Sequence, residues 1–305
     1  MILASVRSCA LVSAALLCVL PGAVFADLNI TSITPTKVIK FDGTGSGDAE
    51  SGNGSYAGNG FNSTPTAGQL DSDTWAMNGT GAGGGMATLA FGDLRASGVY
   101  NKGSSTGGVS SNGFYAFNVG GGNVAFGVQP GSGTFNPGTL TLRVKNTTGS
   151  TLADWSVAYD IFAWNDGGRS TSIKFMYSTS DSTGIGANTL YTAVSALDYS
   201  SPEAFIGTGW SAATPKSTQI PVAVPNNGFL YLRWAFADVS GSGTYDEFAL
   251  DNISVGVAAV PEPGAVLFGG LVIAMIGLAV GFRRPVNAAR ADRSFWKALF
   301  GPGEK

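Results

Sequence analysis

Between Asp27 and Val260 no segment repeats its apolar residues every 3.6 positions, whereas several repeat them every second position, so this stretch is built to form strands. Residues 139–145 alternate cleanly. Leu140, Leu142 and Val144 fall on one face and Thr141, Arg143 and Lys145 on the other. Residues 154–164 place Trp155, Val157, Tyr159 and Ile161 together, and residues 171–178, 229–236 and 247–255 are further strands. Turn-forming residues separate them, as in Asn146-Thr-Thr-Gly149 and Asn165-Asp-Gly-Gly168. In the last strand Phe248 and Leu250 share one phase while Ile253 and Val255 share the other, which predicts a β-bulge near Asp251. Many half-apolar strands bury their faces best as two packed sheets. The expected fold is all-β, a jelly-roll-like β-sandwich.

Glycine makes up 45 of the 305 residues and charged side chains only 12 %, a balance that suits a loop-rich β protein. Much of this glycine lies between Phe41 and Gly122. The runs at 45–47, 81–85 and 103–111 read as long surface loops joining short strands around Trp75, 86–91 and 113–119. No clear linker divides residues 27–258, which are therefore expected to form one sandwich ectodomain.

The two ends have a different character. Arg7 precedes an apolar run from Ala10 to Leu20, and Val24-Phe25-Ala26 offers a small-residue cleavage site, so residues 1–26 read as a signal peptide cut by signal peptidase before Asp27. Cys9 and Cys18 both lie in this leader, which leaves the mature chain no disulfide and no thiol. Residues 264–282 form 19 uncharged, apolar positions, long enough to cross a bilayer as a helix. A basic tail follows over 286–305. By the positive-inside bias the tail stays cytoplasmic and the ectodomain is exported across the inner membrane.

Pro261, Glu262 and Pro263 stand just before the apolar span, and Arg283 and Arg284 just after it. The two prolines keep this peptide extended and out of any helix, presenting it to a protease. The order of parts over 259–285 resembles the PEP-CTERM sorting signal of Gram-negative bacteria. That resemblance implies recognition by an exosortase, a membrane-embedded transpeptidase, and delivery to the cell surface or an extracellular matrix associated with exopolysaccharide. The chain departs from the pattern in the 21 residues that follow Arg284. Its middle part is also similar to the β-sandwich ectodomains common among such proteins, which implies a jelly-roll or lectin-like fold and transfers no catalytic residue.

Composition excludes several functions. There is no histidine anywhere, so mechanisms that need an imidazole base or ligand are closed to this chain. Residues 27–260 carry 10 Lys and Arg against 17 Asp and Glu, a surface that repels nucleic-acid phosphates. Three kinds of site remain as candidates. Trp164 closes a strand beside the 165–168 loop, and with Asp166 and Arg169 as polar partners it is a candidate carbohydrate platform. Asp246, Glu247, Asp251 and Asn252 carry the oxygen ligands that a structural Ca²⁺ takes, against the simpler alternative of a solvated strand edge. Asp160, Glu203, Asp246 and Glu247 supply carboxylates of the kind a glycosidase pairs. The expectation is a non-enzymatic surface or matrix protein without another cofactor. A carbohydrate-active hydrolase with paired carboxylates is the alternative.

Overall fold

The computed structural model describes residues 28–43, 54–79, 87–131 and 135–257. The signal peptide over 1–26, the sorting motif, the membrane span over 264–282 and the basic tail lie outside the described residues.

The early chain gives β1 (Leu28–Ile30), β2 (Lys37–Ile39), β3 (Phe61–Asn62), β4 (Leu70–Asp71), β5 (Trp75–Gly79), β6 (Ala87–Leu89) and β7 (Ser104–Ser105). Then come β8 (Gly113–Asn118), β9 (Val124–Gln129), β10 (Gly138–Asn146), β11 (Leu152–Trp164) and β12 (Gly168–Ser178). The remainder is β13 (Thr192–Ala193), β14 (Tyr199–Ser200), β15 (Thr214–Val224), β16 (Phe229–Ser242) and β17 (Glu247–Val257). One sheet, here called A, runs β13-β12-β16-β10-β5-β6, with β14 on β12 and β1 on β10. Sheet B runs β15-β11-β17-β9-β8-β7, with β2 on β17. A two-stranded piece, β3-β4, stands apart.

The two sheets share one core, which makes the fold an all-β sandwich. On sheet A the inward phase holds Leu140, Leu142 and Val144 of β10 and Leu232 and Trp234 of β16, each at most 2 % exposed. Sheet B answers with Trp155, Val157, Tyr159 and Ile161 of β11. Rings meet across the interface: Tyr159 lies edge-on to Trp234 at 5.4 Å, and Trp75 edge-on to Phe126 at 5.4 Å. The alternation visible in the sequence therefore assigned the faces of these strands as the structure has them.

Where β17 passes β11 the register shifts between Ala158 and Asp160, and Asn252 takes a positive φ of 51°. This is the bulge expected near Asp251. It lets Phe248 and Leu250 and then Ile253 and Val255 all face the core. Of the longer strands, two escape the alternation reading. β15 carries Pro215 and Pro221, which would break ladder bonds in a central strand, and the structure places it at the edge of sheet B. β9 hides its pattern because nearly all of it is buried on both faces.

The stretch from Phe41 to Gly122 contributes more than surface loops. Phe41, Tyr56, Phe61, Leu70 and Trp75 are each at most 1 % exposed and belong to the shared core, the four rings packing around Phe126. Phe61 and Trp75 come from short strands, and Phe41 and Tyr56 from the segments outside them.

The outer face of sheet A holds one fully buried ion pair. Arg233 of β16 meets Asp181 at 2.8 Å, with side-chain exposures of 0 and 2 %. Removing one partner of such a pair strands a buried charge, whereas an exposed pair contributes little. Asp181→Ala is expected to lower stability by about 3–5 kcal/mol in urea denaturation. Asp93→Ala, which breaks the exposed pair with Arg95, should cost less than about 1 kcal/mol. Equal losses in the two variants would contradict this account.

Candidate functional site

The Arg233 guanidinium spends every N–H it has. It donates to Thr141 Oγ1, Gly186 O, Asn188 Oδ1, Gly184 O and Asp181 Oδ2 at 2.7–3.0 Å, while the Tyr191 ring lies 3.8 Å from its central carbon. All but Thr141 belong to the 179–191 loop, which is thereby tied down onto sheet A. Burial alone would raise the Asp181 carboxyl. The hydroxyls of Tyr191 and Thr183, the Arg233 charge and the Gly186 amide outweigh it and hold the carboxyl below its usual range. Gly184 fits because it has no Cβ: at its φ of 74° an added Cβ would lie 2.3 Å from that of Ala76.

The anchored loop forms one wall of a groove of about 640 Å³ on the outer face of sheet A. Small residues make its floor: Gly138 and Thr139 on β10 and Ala235 and Ala237 on β16. Gly186, Ala187 and Asn188 stand on one side and Pro137, Asp238 and Val239 on another. Ser172, Lys174 and Met176 of β12 point into it, in the phase opposite to the buried Ile173 and Phe175. Asp238 is held in an ion pair by Arg169, and Ser172 Oγ donates to Ala237 O at 3.2 Å. Lys174 is exposed.

The carbohydrate platform expected at Trp164 is not laid out as the sequence suggested. Trp164 and Asp166 do meet, the indole donating to Asp166 Oδ2 at 3.2 Å. The indole, however, carries Gly107 and Gly108 on its face. A Cβ on Gly107 would approach Trp164 to 2.4 Å, so only glycine permits this contact. Trp210 packs edge-on to Trp164 at 5.7 Å and donates to Thr106 O at 2.9 Å. Arg169 turns elsewhere, lying 4.1 Å from the Tyr245 ring centre and donating to Gly243 O. Trp155 and Trp234 are core residues. The face of Trp164 is thus covered by its own chain, and the opening at this end is a hollow of about 230 Å³ lined by Asn165, Tyr199, Ile206 and Trp210.

The four residues grouped as a Ca²⁺ site are separated in the same way. Neighbouring strand residues point to opposite faces, and Glu247 and Asp251 are about 13 Å apart along an extended strand. Ser201 donates to Asp246, Gly108 and Val109 donate to Glu247, and Asn252 donates to Asp160. Among the described residues no three His, Cys, Asp or Glu side chains gather closely enough to hold an ion. Nor do the carboxylates named for glycoside hydrolysis share an open cleft. Asp246 and Glu247 are 0 and 2 % exposed, Asp160 is engaged by Asn252, and Glu203 accepts from Ser240.

Sequence reasoning did not single out the groove. Its β12 residues were visible as the outward phase of a strand, but the loop that walls them in carries no local signal for its landing place.

No protein-family model matches this chain, and no curated protein is significantly similar to it. Among solved structures, the K3 cleaved adhesin domain of Lys-gingipain from Porphyromonas gingivalis aligns at 10 % identity and a TM-score of 0.33, over 47 % of this chain and 79 % of that one. A xylan-binding domain from CBM 22 aligns at 14 % identity and a TM-score of 0.27, over 50 % of this chain and 85 % of that one. A cellulose-specific module, CBM28, gives 12 % and 0.28, over 49 % and 84 %. Likeness at this level establishes neither a shared family nor a shared ligand.

The two buried carboxylates at the head of β17 make a pH-dependent stability. Burial pushes Glu247 up to about 7, against the two backbone amides that favour its charged form, and nearby Asp166 and Asp246 add to the rise. Burial likewise lifts Asp246 to about 6, assisted by Asp166 and opposed by Ser201 and Arg169. A carboxyl whose folded pKa is raised binds its proton more tightly in the native state. Its stabilising effect is full below the unfolded value and is lost as pH rises through the folded value. Urea stability should therefore increase from pH 8 to pH 5 by an amount on the order of 2 kcal/mol. Glu247→Gln should flatten that slope, and a steady loss of stability over the same window would refute the assignment.

Proposed function

We propose that this is an exported, non-enzymatic surface or matrix protein whose jelly-roll-like sandwich holds a polysaccharide chain in the groove across sheet A. The observation that carries the binding part is the groove itself. It is open along the face of a rigid sheet, floored by small side chains, and walled by a loop that one buried arginine fixes through four hydrogen bonds. A pre-formed groove spares the ordering cost that a floppy loop would incur on binding. Hydroxyl and amide groups from Thr139, Ser172, Ser200, Asn78 and Asn188 line it, and these are the partners that sugar hydroxyls need.

Hydrolysis is disfavoured in this reading. A glycosidase needs two carboxylates facing each other. The groove lining has one, Asp238, and Arg169 already engages it. The chain's lack of histidine, and of any cysteine after Cys18, removes the other common hydrolytic devices.

Export and sorting rest on the order of the terminal segments. A leader ends at Ala26, Pro261-Glu262-Pro263 precedes an apolar stretch, and Arg283-Arg284 closes it. In this scheme signal peptidase frees the N-terminus and an exosortase cuts near the Pro-Glu-Pro motif. The ectodomain then joins the cell surface or an exopolysaccharide matrix.

Two measurements test this. Intact-mass analysis of protein recovered from the cell surface is expected to show a chain that starts at Asp27 and ends near Glu262. Chains ending at Lys305 there would count against processing. In affinity electrophoresis through polysaccharide gels, Ala237→Trp should plug the groove and weaken retention about tenfold or more, while Trp164→Ala should retain wild-type binding. The reverse pattern would move the site to the Trp164 end.

A further inference from the structure

The groove has an unusual lining for a site that takes sugars. No Trp or Tyr lines it, and its one aromatic residue, Phe236, is only 3 % exposed. Stacking of a sugar ring on an aromatic face, the usual source of affinity for a neutral chain, is therefore not on offer. What the lining has instead is one exposed cation among small and apolar groups. Lys174 stands exposed on β12, with Ala235 opposite it on β16 and Ser172 and Met176 two positions away along its own strand. The other charged residue of the groove, Asp238, is neutralised by Arg169. Among the described residues no carboxylate pairs with Lys174.

The wider distribution of charge points the same way. Residues 27–260 are acidic overall, yet five of their ten cationic side chains belong to this face. Arg143 and Lys145 of β10, Lys174 of β12 and Arg233 of β16 project outward from sheet A, and Arg169 reaches the groove wall. Asp181 and Asp238 each offset one arginine of this set. Arg169 and Arg233 are thus held in ion pairs, and Lys174 is the exposed cation of the set that lies inside the groove, with no carboxylate of the described residues paired to it. A negatively charged chain that enters the groove meets this ammonium at short range.

Resting on the groove reading above, we propose that the polysaccharide bound there is acidic, a chain with sugar carboxylates, and that Lys174 is the residue that selects it. A uronate carboxylate accepts a charge-assisted hydrogen bond from the Lys174 ammonium, while Ser172, Asn78 and Asn188 serve the ring hydroxyls. Lysine acts here as a point charge, so the recognised group need not approach in one plane.

The test compares the purified ectodomain-bearing protein on polygalacturonate, on the same backbone with its carboxylates methyl-esterified, on dextran sulfate, and on neutral xylan. Wild type is expected to bind polygalacturonate at least tenfold more tightly than the esterified chain, and to lose this preference in high salt. Lys174→Ala should cost about tenfold on polygalacturonate, the loss of one charge-assisted bond. Lys174→Arg should restore most of it, and Lys216→Ala, the same charge change on β15, should leave it unchanged. All variants are first checked for wild-type urea midpoints. Equal binding of acidic and esterified chains, untouched by Lys174→Ala, overturns the charge selection while leaving the groove reading intact. Preference for dextran sulfate over polygalacturonate overturns the carboxylate assignment in favour of sulfate. Failure to bind any of the four overturns the groove reading itself, and this inference with it.

Discussion

The shape of sheet A's outer face depends on where one arginine is buried. Arg233 occupies an outward position of β16, a place that in most sheets faces water, and it is nonetheless 0 % exposed because the 179–191 loop folds down on it. Five donors find five acceptors, and the carboxylate among them, Asp181, is itself satisfied by Thr183, Gly184, Gly186 and Tyr191. A buried charge left partly unpaired is costly, so such a network is stable in one arrangement and poor in its near neighbours. The loop therefore behaves as part of the sheet's framework. It divides the outer face of sheet A, and the groove is the space left on one side of it.

Much of the sandwich was legible in the sequence because the physics that builds it is local. Leu140, Leu142 and Val144, or Trp155, Val157, Tyr159 and Ile161, declare a buried face by spacing alone, and the slip of phase between Leu250 and Ile253 declared the bulge that Asn252 forms. The candidate sites were far less legible, for a reason that the same residues illustrate. Trp164 and Glu247 gave every local sign of availability, one beside a turn and the other in a carboxylate cluster. Both are engaged by Gly107, Gly108 and Val109, about 56 to 140 positions away in the chain. A strand's pattern says which side chains leave the core, and it says nothing of what long-range segment then lands on them.

The same limit explains why the groove went unnoticed. Ser172, Lys174 and Met176 read as an ordinary solvent-facing phase. Their depth comes from alanines on β16 and from a loop wall, neither of which has a chemical signature. The only hint in the sequence was the odd placement of Arg233 between Leu232 and Trp234, a long cation in a strand otherwise dominated by large apolar and aromatic side chains. Such a residue on a strand is a reason to expect a covering segment that carries its counter-charge.

The two outer faces of the sandwich are covered in different ways. Sheet B buries a second apolar cluster beneath its own chain: Tyr115, Phe117, Ala125, Phe162 and Ala249 pack with Val109 and Trp210, and Glu247 fastens the covering loop by two amides. Its aromatic rings are spent on that closure, Trp210 against Phe117 at 4.8 Å and against Trp164 at 5.7 Å. Sheet A does the opposite. It fastens its covering loop with a buried ion pair on one side and leaves small residues and a charged ammonium uncovered on the other. The Trp210 side keeps a hollow of about 230 Å³ that Tyr199 and Trp210 line, and sheet A keeps a trough of about 640 Å³ floored by small residues. What covers each sheet thus decides what it leaves open, and the buried pair on sheet A holds the wall of the trough in place.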